Sequence, residues 1–269
     1  MAGEQAGAQG DPLTATAVSV TGRDDGRLTL LDCLRAFLGF RSPRVLAAFL
    51  AAFLVARVAI GGWSWRDLAV AAALVALQPF TEWLIHVFLL HSKPRKLGPF
   101  TIDLPTARLH RWHHLNPTLL EAVLIPGSLI AGFLLPVMAV MWLLSWPLTL
   151  AGGDHLALWL TLMAVSTVLV GVYEWSHFII HTPYRPKSRY YRTIWRSHRL
   201  HHFKNEHYWF GVSSDAADRV LGTSPDQSTV PKSETVKTLG VEAVSPAPYF
   251  ASSQSRPTPT STSSGGSSS

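Results

Sequence analysis

Residues 81–91, TEWLIHVFLLH, carry one glutamate and two histidines into the end of a long apolar run, and their reading decides the fold. The run spans 67–91 and holds no lysine or arginine, so it exceeds the ~20 residues that cross a bilayer as a helix. Working outward, 44–62, 122–145 and 156–181 reach or approach the same length. The competing reading packs all four runs into a soluble protein as buried helices, and length argues against it. Composition agrees: 48% of the 269 residues are apolar and 15% are charged, against roughly 25% in a soluble domain. The expectation is an all-α protein with four transmembrane helices.

The connections orient it. Between the second and third runs lie Lys93, Arg95, Lys96, Arg108 and Arg111, opposed by Asp103 and, immediately before the third run, Glu121. After the fourth come Arg185, Lys187, Arg189, Arg192, Arg196, Arg199 and Lys204, with no acid before Glu206. The other two connections hold only Arg66 with Asp67, and Asp154. The excess of cations on cytoplasmic loops then places both basic segments and both termini in the cytoplasm. The net charge of +6 reads as topology and contact with anionic lipid headgroups, and no nucleic acid is needed to explain it. Outer turns at 62–66 and 146–155 are too short to hold a domain, so the chemistry belongs to the cytoplasmic side.

Residues 1–28, small, polar and charged, read as a flexible cytoplasmic tail. Residues 29–223 are the expected integral-membrane domain. The Ser/Thr/Pro/Gly-rich stretch 224–269 is expected to be disordered, because its composition offers little apolar surface to bury.

Cys33 is the only cysteine, which excludes a disulfide framework, a four-cysteine zinc site and a four-cysteine iron–sulfur cluster. Metal chemistry must rest on histidine and carboxylate. Eleven of the twelve histidines lie in the two basic segments or the helix ends that feed them. His86 and His91 precede HRWHH, with His110, His113 and His114. His177 and His181 precede HRLHH, with His198, His201 and His202. Helical spacing lets each HxxHH aim three imidazoles at one point, and the i, i+4 pair His177/His181 also converges. His86 and His91, five apart, diverge around a regular helix, unless the helix unwinds at its end or the two serve different metals. Ten convergent imidazoles exceed the roughly four to six ligands of one ion and suit two. Histidines scattered on a basic surface are the bland alternative, and two copies of the same pair-then-triple pattern argue against it. His155, in an outer turn, reads as a plain surface residue.

The halves repeat: Glu82-Trp83 precedes the first pair and Glu174-Trp175 the second. A carboxylate about one turn below a histidine is expected to accept an imidazole N–H, so Glu82 and Glu174 are candidate orienting groups, with His207 a third. The plain alternative for the glutamates is a bond to a neighbouring helix. Two such metals beside lipid could hydrolyse an ester or phosphate, or activate O2 against a C–H bond. Imidazole suits iron as well as zinc, so ligand type does not name the metal.

These motifs resemble the membrane fatty acid hydroxylase/sterol desaturase superfamily, and most of all its fatty acid 2-hydroxylases. The resemblance runs from about Phe80 to Thr223, through EWLIHVFLLH, ARLHRWHHLNP, YEWSHFIIH and HRLHHFKNEHYWFGVSS, followed by Asp218 and Leu221-Gly222-Thr223. The wider gap in the first histidine pair and the narrower one in the second form the 2-hydroxylase pattern. The resemblance implies a four-helix membrane base under a cytoplasmic helical cap, with a dinuclear metal site held by the ten matching histidines. It further implies O2-dependent hydroxylation of a fatty-acyl membrane substrate, with the 2-position the expected target. Two iron ions are the implied cofactor, with zinc able to take their place in purified protein, and O2 is the co-substrate. Tyr173 and Phe203 lie in the matching motifs as substrate-lining candidates. No cytochrome b5 motif is present, so a separate electron-donor protein is expected. The Ala-, Leu- and Arg-rich composition suggests a bacterial cell membrane. A desaturase or hydroxylase of another lipid, such as a carotenoid or sterol, stays open, as does a zinc-dependent membrane hydrolase.

Overall fold

A computed structural model describes residues 28–150 and 152–241. The N-terminal tail read at 1–28 lies outside the described residues except for Leu28. Helix α1 (Leu30–Gly39) starts at a capping box: the Thr29 hydroxyl accepts from the Asp32 amide at 3.2 Å, and the Asp32 carboxylate accepts from the Thr29 amide at 2.9 Å. Two of the amides left open by a helix start are thereby satisfied. One face of α1 buries Cys33 and Phe37 against Phe178 and Ile179, while Leu31, Leu34 and Leu38 face outward.

Among the described residues, four helices are long and apolar enough to cross a membrane. They are α2 (Arg41–Ile60), α3 (Trp65–Leu84) with its continuation to Leu90, the Gly132–Thr149 part of α6 (Gly127–Thr149), and α7 (His155–His181). Helix α7 is central and packs on α2, α3 and α6. Val55, Leu68, Val75, Leu135 and Leu143 are exposed on the outer helix faces, where a hydrocarbon solvent is the environment that suits them. At the end remote from the histidines, Arg57 is buried and ion-paired to Asp67 at 2.7 Å. Thr161 of α7 accepts from Arg57 at 2.9 Å and donates to Asp67 at 2.6 Å, and the guanidinium lies 3.8 Å from the Trp63 ring centroid. Such a pair is tolerable in a low dielectric because each polar atom has a partner. The network ties α2, α3 and α7 together.

On the histidine side, a cap is built from α4 (Pro105–Leu115), α5 (Leu120–Val123), α8 (Arg189–Phe203) and α9 (Ala216–Val220). One antiparallel ribbon, β1 (Arg95–Leu97) with β2 (Phe100–Ile102), is the only sheet among the described residues.

Two expectations are corrected. The apolar run 122–145 is not one helix: α5 ends at Val123, and α6 begins after Pro126 and continues to Thr149. Proline lacks an N–H and disfavours helical backbone at the residue before it, so the chain breaks at Ile125-Pro126. The tail expected to be disordered from 224 is instead folded as far as Val241. It makes a 3-10 turn at Gln227–Thr229, buries Val230, Val236 and Leu239, and bonds its Ser233 amide to the Lys204 carbonyl at 2.8 Å. Three apolar side chains spaced among polar ones supply burial that an averaged composition hides. Residues 242–269, the rest of that stretch, lie outside the described residues.

Candidate metal centre

The first histidine pair sits where α3 changes winding. Ile85–Leu90 is π-helical, and the His91 amide bonds the His86 carbonyl at 3.1 Å. A wider turn stacks residues five apart, so the helix neither unwinds nor lets the two rings diverge. Their centroids lie 4.9 Å apart, and His177 and His181, one regular α-turn apart on α7, show the same 4.9 Å.

Helices α4 and α8 bring the triples between these pairs, and all ten histidines gather in two groups of five. The first is His86, His91, His110, His114 and His201; the second is His113, His177, His181, His198 and His202. Within each group one nitrogen per residue lies within 4.8 Å of all the others. Neither group includes a carboxylate among the described residues. The expectation that each HxxHH aims at one point is therefore corrected. The first and last histidines of each triple join their own pair, and the middle one crosses to the other group. At about 100° per residue, adjacent positions i+3 and i+4 diverge, while i and i+4 nearly align.

The rings are oriented for ligation. His86, His114 and His201 donate from Nδ1 to the carbonyls of Phe210, Val236 and Tyr208 at 2.5, 2.9 and 2.8 Å. A proton on Nδ1 leaves Nε2 as a lone pair. The Nε2 atoms meet one another: His86 and His110 at 3.0 Å, His110 and His114 at 3.1 Å, His114 and His201 at 3.2 Å. In the second group His198 and His202 do so at 3.0 Å. Nε2 of His91, His113, His177 and His181 is buried without a hydrogen-bond partner. Orphaned buried nitrogens are costly, and a cation at the centre of each group satisfies them. The residues thus fit a metal ion in each group.

Electrostatics point the same way. Burial, and then the neighbouring imidazoles, hold His110, His113, His198, His201 and His202 well below the ordinary histidine range. Burial takes His114 down to about 3, against a raising contribution from its bond to Val236. At neutral pH these imidazoles are uncharged, which is the ligating form.

The glutamates lie at the expected depth with different partners. Glu82 accepts from the Val212 amide, the Ser213 amide at 2.9 Å and the Ser213 hydroxyl. Glu174 accepts from the Ser42 hydroxyl and from the Ile125 amide at 2.9 Å. Neither bonds an imidazole, which corrects the reading of both as direct acceptors of a histidine N–H. Each instead fixes a loop beside its histidine pair. Glu82 holds 212–213, next to the Phe210 carbonyl that takes the His86 proton. Glu174 holds Ile125, two residues beyond Val123, whose carbonyl lies toward His177.

Asp218 is a further organiser that the residue reading did not single out, although it stands in the quoted motif. It accepts from the amides of Phe210 and Gly211 at 3.0 and 2.7 Å, and burial raises its carboxyl above the usual range. Gly211 has no room for a side chain, since a Cβ there would fall 2.0 Å from the Ser214 carbonyl oxygen.

His207 is exposed, 3.5 Å from Glu206, at the rim of a cavity of about 200 Å³ that reaches His91. No hydrogen bond joins it to any of the ten histidines among the described residues. Tyr173 lies one turn below His177, its ring tilted 40° to the imidazole with centroids 5.6 Å apart. Phe203 is exposed on α8, with Arg199 over its ring and its ring centroid 6.4 Å from that of His202. His155 is more than a surface residue: its ring packs on Trp142 at 4.0 Å and its Nε2 meets the Ser145 hydroxyl at 2.6 Å.

Against known proteins, the fatty acid hydroxylase profile matches residues 71–223. The chain is 26% identical over 149 residues to dihydroceramide fatty acyl 2-hydroxylase FAH2 of Arabidopsis thaliana, covering 54% of this chain and 55% of that one. It is 27% identical over 156 residues to fatty acid 2-hydroxylase of Mus musculus, covering 57% of this chain and 38% of that one. The chain thus spans about half the length, or less, of these curated relatives. A solved structure described as full-length scs7p, with only its hydroxylase domain visible, shares the fold at a TM-score of 0.54 and 22% identity, over 71% of this chain and 68% of that one.

Proposed function

The chain belongs to the fatty acid hydroxylase family, and on that premise we propose that it inserts one oxygen atom of O2 into a membrane fatty-acyl substrate, at the carbon next to the carbonyl. The observation that carries the reading is the pair of buried five-imidazole groups, free of carboxylates among the described residues, at one end of four membrane-length helices. Each group would hold one metal ion through its five nitrogens. Iron is the metal assigned, because C–H hydroxylation needs a redox ion, and when bound it supplies O2 activation. The chain's own residues hold the ring protons on Nδ1, at the Phe210, Val236 and Tyr208 carbonyls, and keep the histidines neutral by burial.

The cations at both ends of the cap support a cytoplasmic site facing anionic headgroups. The two electrons that balance the insertion come from a separate donor protein. The 2-position rests on the names of the two curated relatives and on the unequal spacing of the histidine pairs.

Lipid mass spectrometry on cells with and without the protein, in air with iron supplied, tests this. Acyl species should gain about 16 mass units, the one oxygen inserted, and the gain should vanish in His202→Ala. Loss of two hydrogens instead would make the enzyme a desaturase. Turnover without O2 or reductant would make it a hydrolase.

A further inference from the structure

The ribbon β1–β2 joins the π-helical end of the second span to α4, and all six of its strand residues are exposed. Its register pairs Arg95 with Ile102, Lys96 with Thr101 and Leu97 with Phe100. Paired residues share a face and successive ones alternate, so Arg95, Leu97, Phe100 and Ile102 form one face, and Lys96 with Thr101 the other. Gly98, at a φ of +60°, and Pro99 close the turn. Leu97, Phe100 and Ile102 are 67%, 71% and 48% exposed, so the ribbon is amphipathic with its apolar face open. A lone two-stranded ribbon is marginal in water and needs something against that face.

We propose that this face lies in the headgroup layer of the bilayer, on the histidine side, and that anionic lipids are its partner. Tethering favours that occupant. Arg95 follows Leu90, the last residue of the span, by five residues, which can reach at most about 17 Å. Ile102 is three residues from α4, whose own histidines are locked in the metal centre, so neither end can carry the ribbon far from the membrane. Leu84, Ile85 and Phe88, in the last turns of the span, are exposed apolar side chains as well. Charge completes the match. Arg95 and Lys96 lie on the ribbon itself, and Asp103, the single acid between His91 and His114, is engaged by Arg108 and Arg111. Apolar side chains among cations suit the boundary of an anionic membrane. Lipid contact here steadies the connection that delivers His110, His113 and His114.

The test uses the full chain in lipid nanodiscs, with an environment-sensitive NBD dye on Leu97→Cys or on Thr101→Cys. Cys33 is buried, so the unsubstituted protein is the labelling blank. The Leu97 dye should shift to the blue, be quenched by lipids spin-labelled near the headgroup, and resist iodide severalfold better than the Thr101 dye. The contrast should grow when phosphatidylglycerol is added to phosphatidylcholine. Equal iodide quenching at the two positions would overturn the proposal. Shielding that follows protein concentration in detergent would assign the face to a second copy, and shielding indifferent to phosphatidylglycerol would remove the anionic partner.

Discussion

The two halves of the metal centre reach the same ligand geometry by different backbones. His86 and His91 are five residues apart on a π-turn, His177 and His181 four apart on an α-turn, and both ring pairs stand 4.9 Å apart. The buttressing differs more. In the first group, three ring protons end on carbonyls from the loop and strap that follow α8. In the second, the Val123 and Pro117 carbonyls lie toward His177 and His181, while Nδ1 of His113, His198 and His202 is buried without a hydrogen bond. What the two halves share is where the imidazoles converge; winding and support are free to differ.

The largest expected effect tests the crossing of the middle histidines. His113→Ala with His114→Ala, neighbours in sequence, removes a ligand from each group and should cost both metal ions. His113→Ala with His202→Ala, far apart in sequence, strikes one group and should leave about one ion per chain, since loss of ligands is loss of metal affinity. Metal analysis of the purified variants decides it. Equal metal loss in the two double variants would break the grouping.

Acid comes next. The α4 and α8 histidines have folded values below the unfolded one of about 6.5. As pH falls through that unfolded value, the unfolded chain takes up protons first and stability drops. The drop continues down to the folded values, about 3 for His114. Each group contributes at most about 1.4 kcal/mol per pH unit. Metal-free protein should therefore melt lower at pH 5 than at pH 7, and loaded protein should release its two ions together. Release in two separate steps would show that unequal buttressing makes the groups unequal in affinity.

The loop anchors give the smallest effect and the finest comparison. Glu82→Ala strands two buried amides and a hydroxyl, and should cost about 3–5 kcal/mol in denaturant unfolding. Glu174→Ala strands one amide and one hydroxyl, and should cost about 2–3 kcal/mol. The reverse order would mean that the α5–α6 break, more than the loop after α8, holds the centre together.

The four spans and the ten histidines were legible because both signals are residue types at fixed spacing. Leu, Ala and Val fill lengths that only a bilayer explains, and imidazoles recur as pair and triple. The ligand partition was not legible, since it depends on how α4 and α8 face each other across the centre. Nor was the π-turn: Ile85–Leu90 contains nothing that demands a wide winding, and it is the closure of His86 and His91 on one point that does. The carbonyls of Phe210, Tyr208 and Val236 leave no trace in residue identity. The strap that carries Val236 was masked by its Ser, Thr and Lys neighbours. Glu82 and Glu174 were noticed for their depth, but a carboxylate's partner is set by the loop that arrives there, and both loops are distant in sequence.

The Arg57–Asp67 pair bears on biogenesis. Its two members flank the turn between α2 and α3, and Thr161 reaches them from α7, a later helix in the chain. Arg57 lies in the last turn of α2, so entering unpaired costs less than the roughly 2.5–3.5 kcal/mol of a helix centre, and the carboxylate beside it lowers the cost further. A paired α2–α3 hairpin is thus the cheaper species to insert, and Thr161 joins the network from a helix later in the chain. Asp67→Ala should lower the fraction of nascent chains whose α2–α3 turn reaches the far side in microsomes, as glycosylation at that turn would report; unchanged insertion would make the pair an adornment of the finished fold.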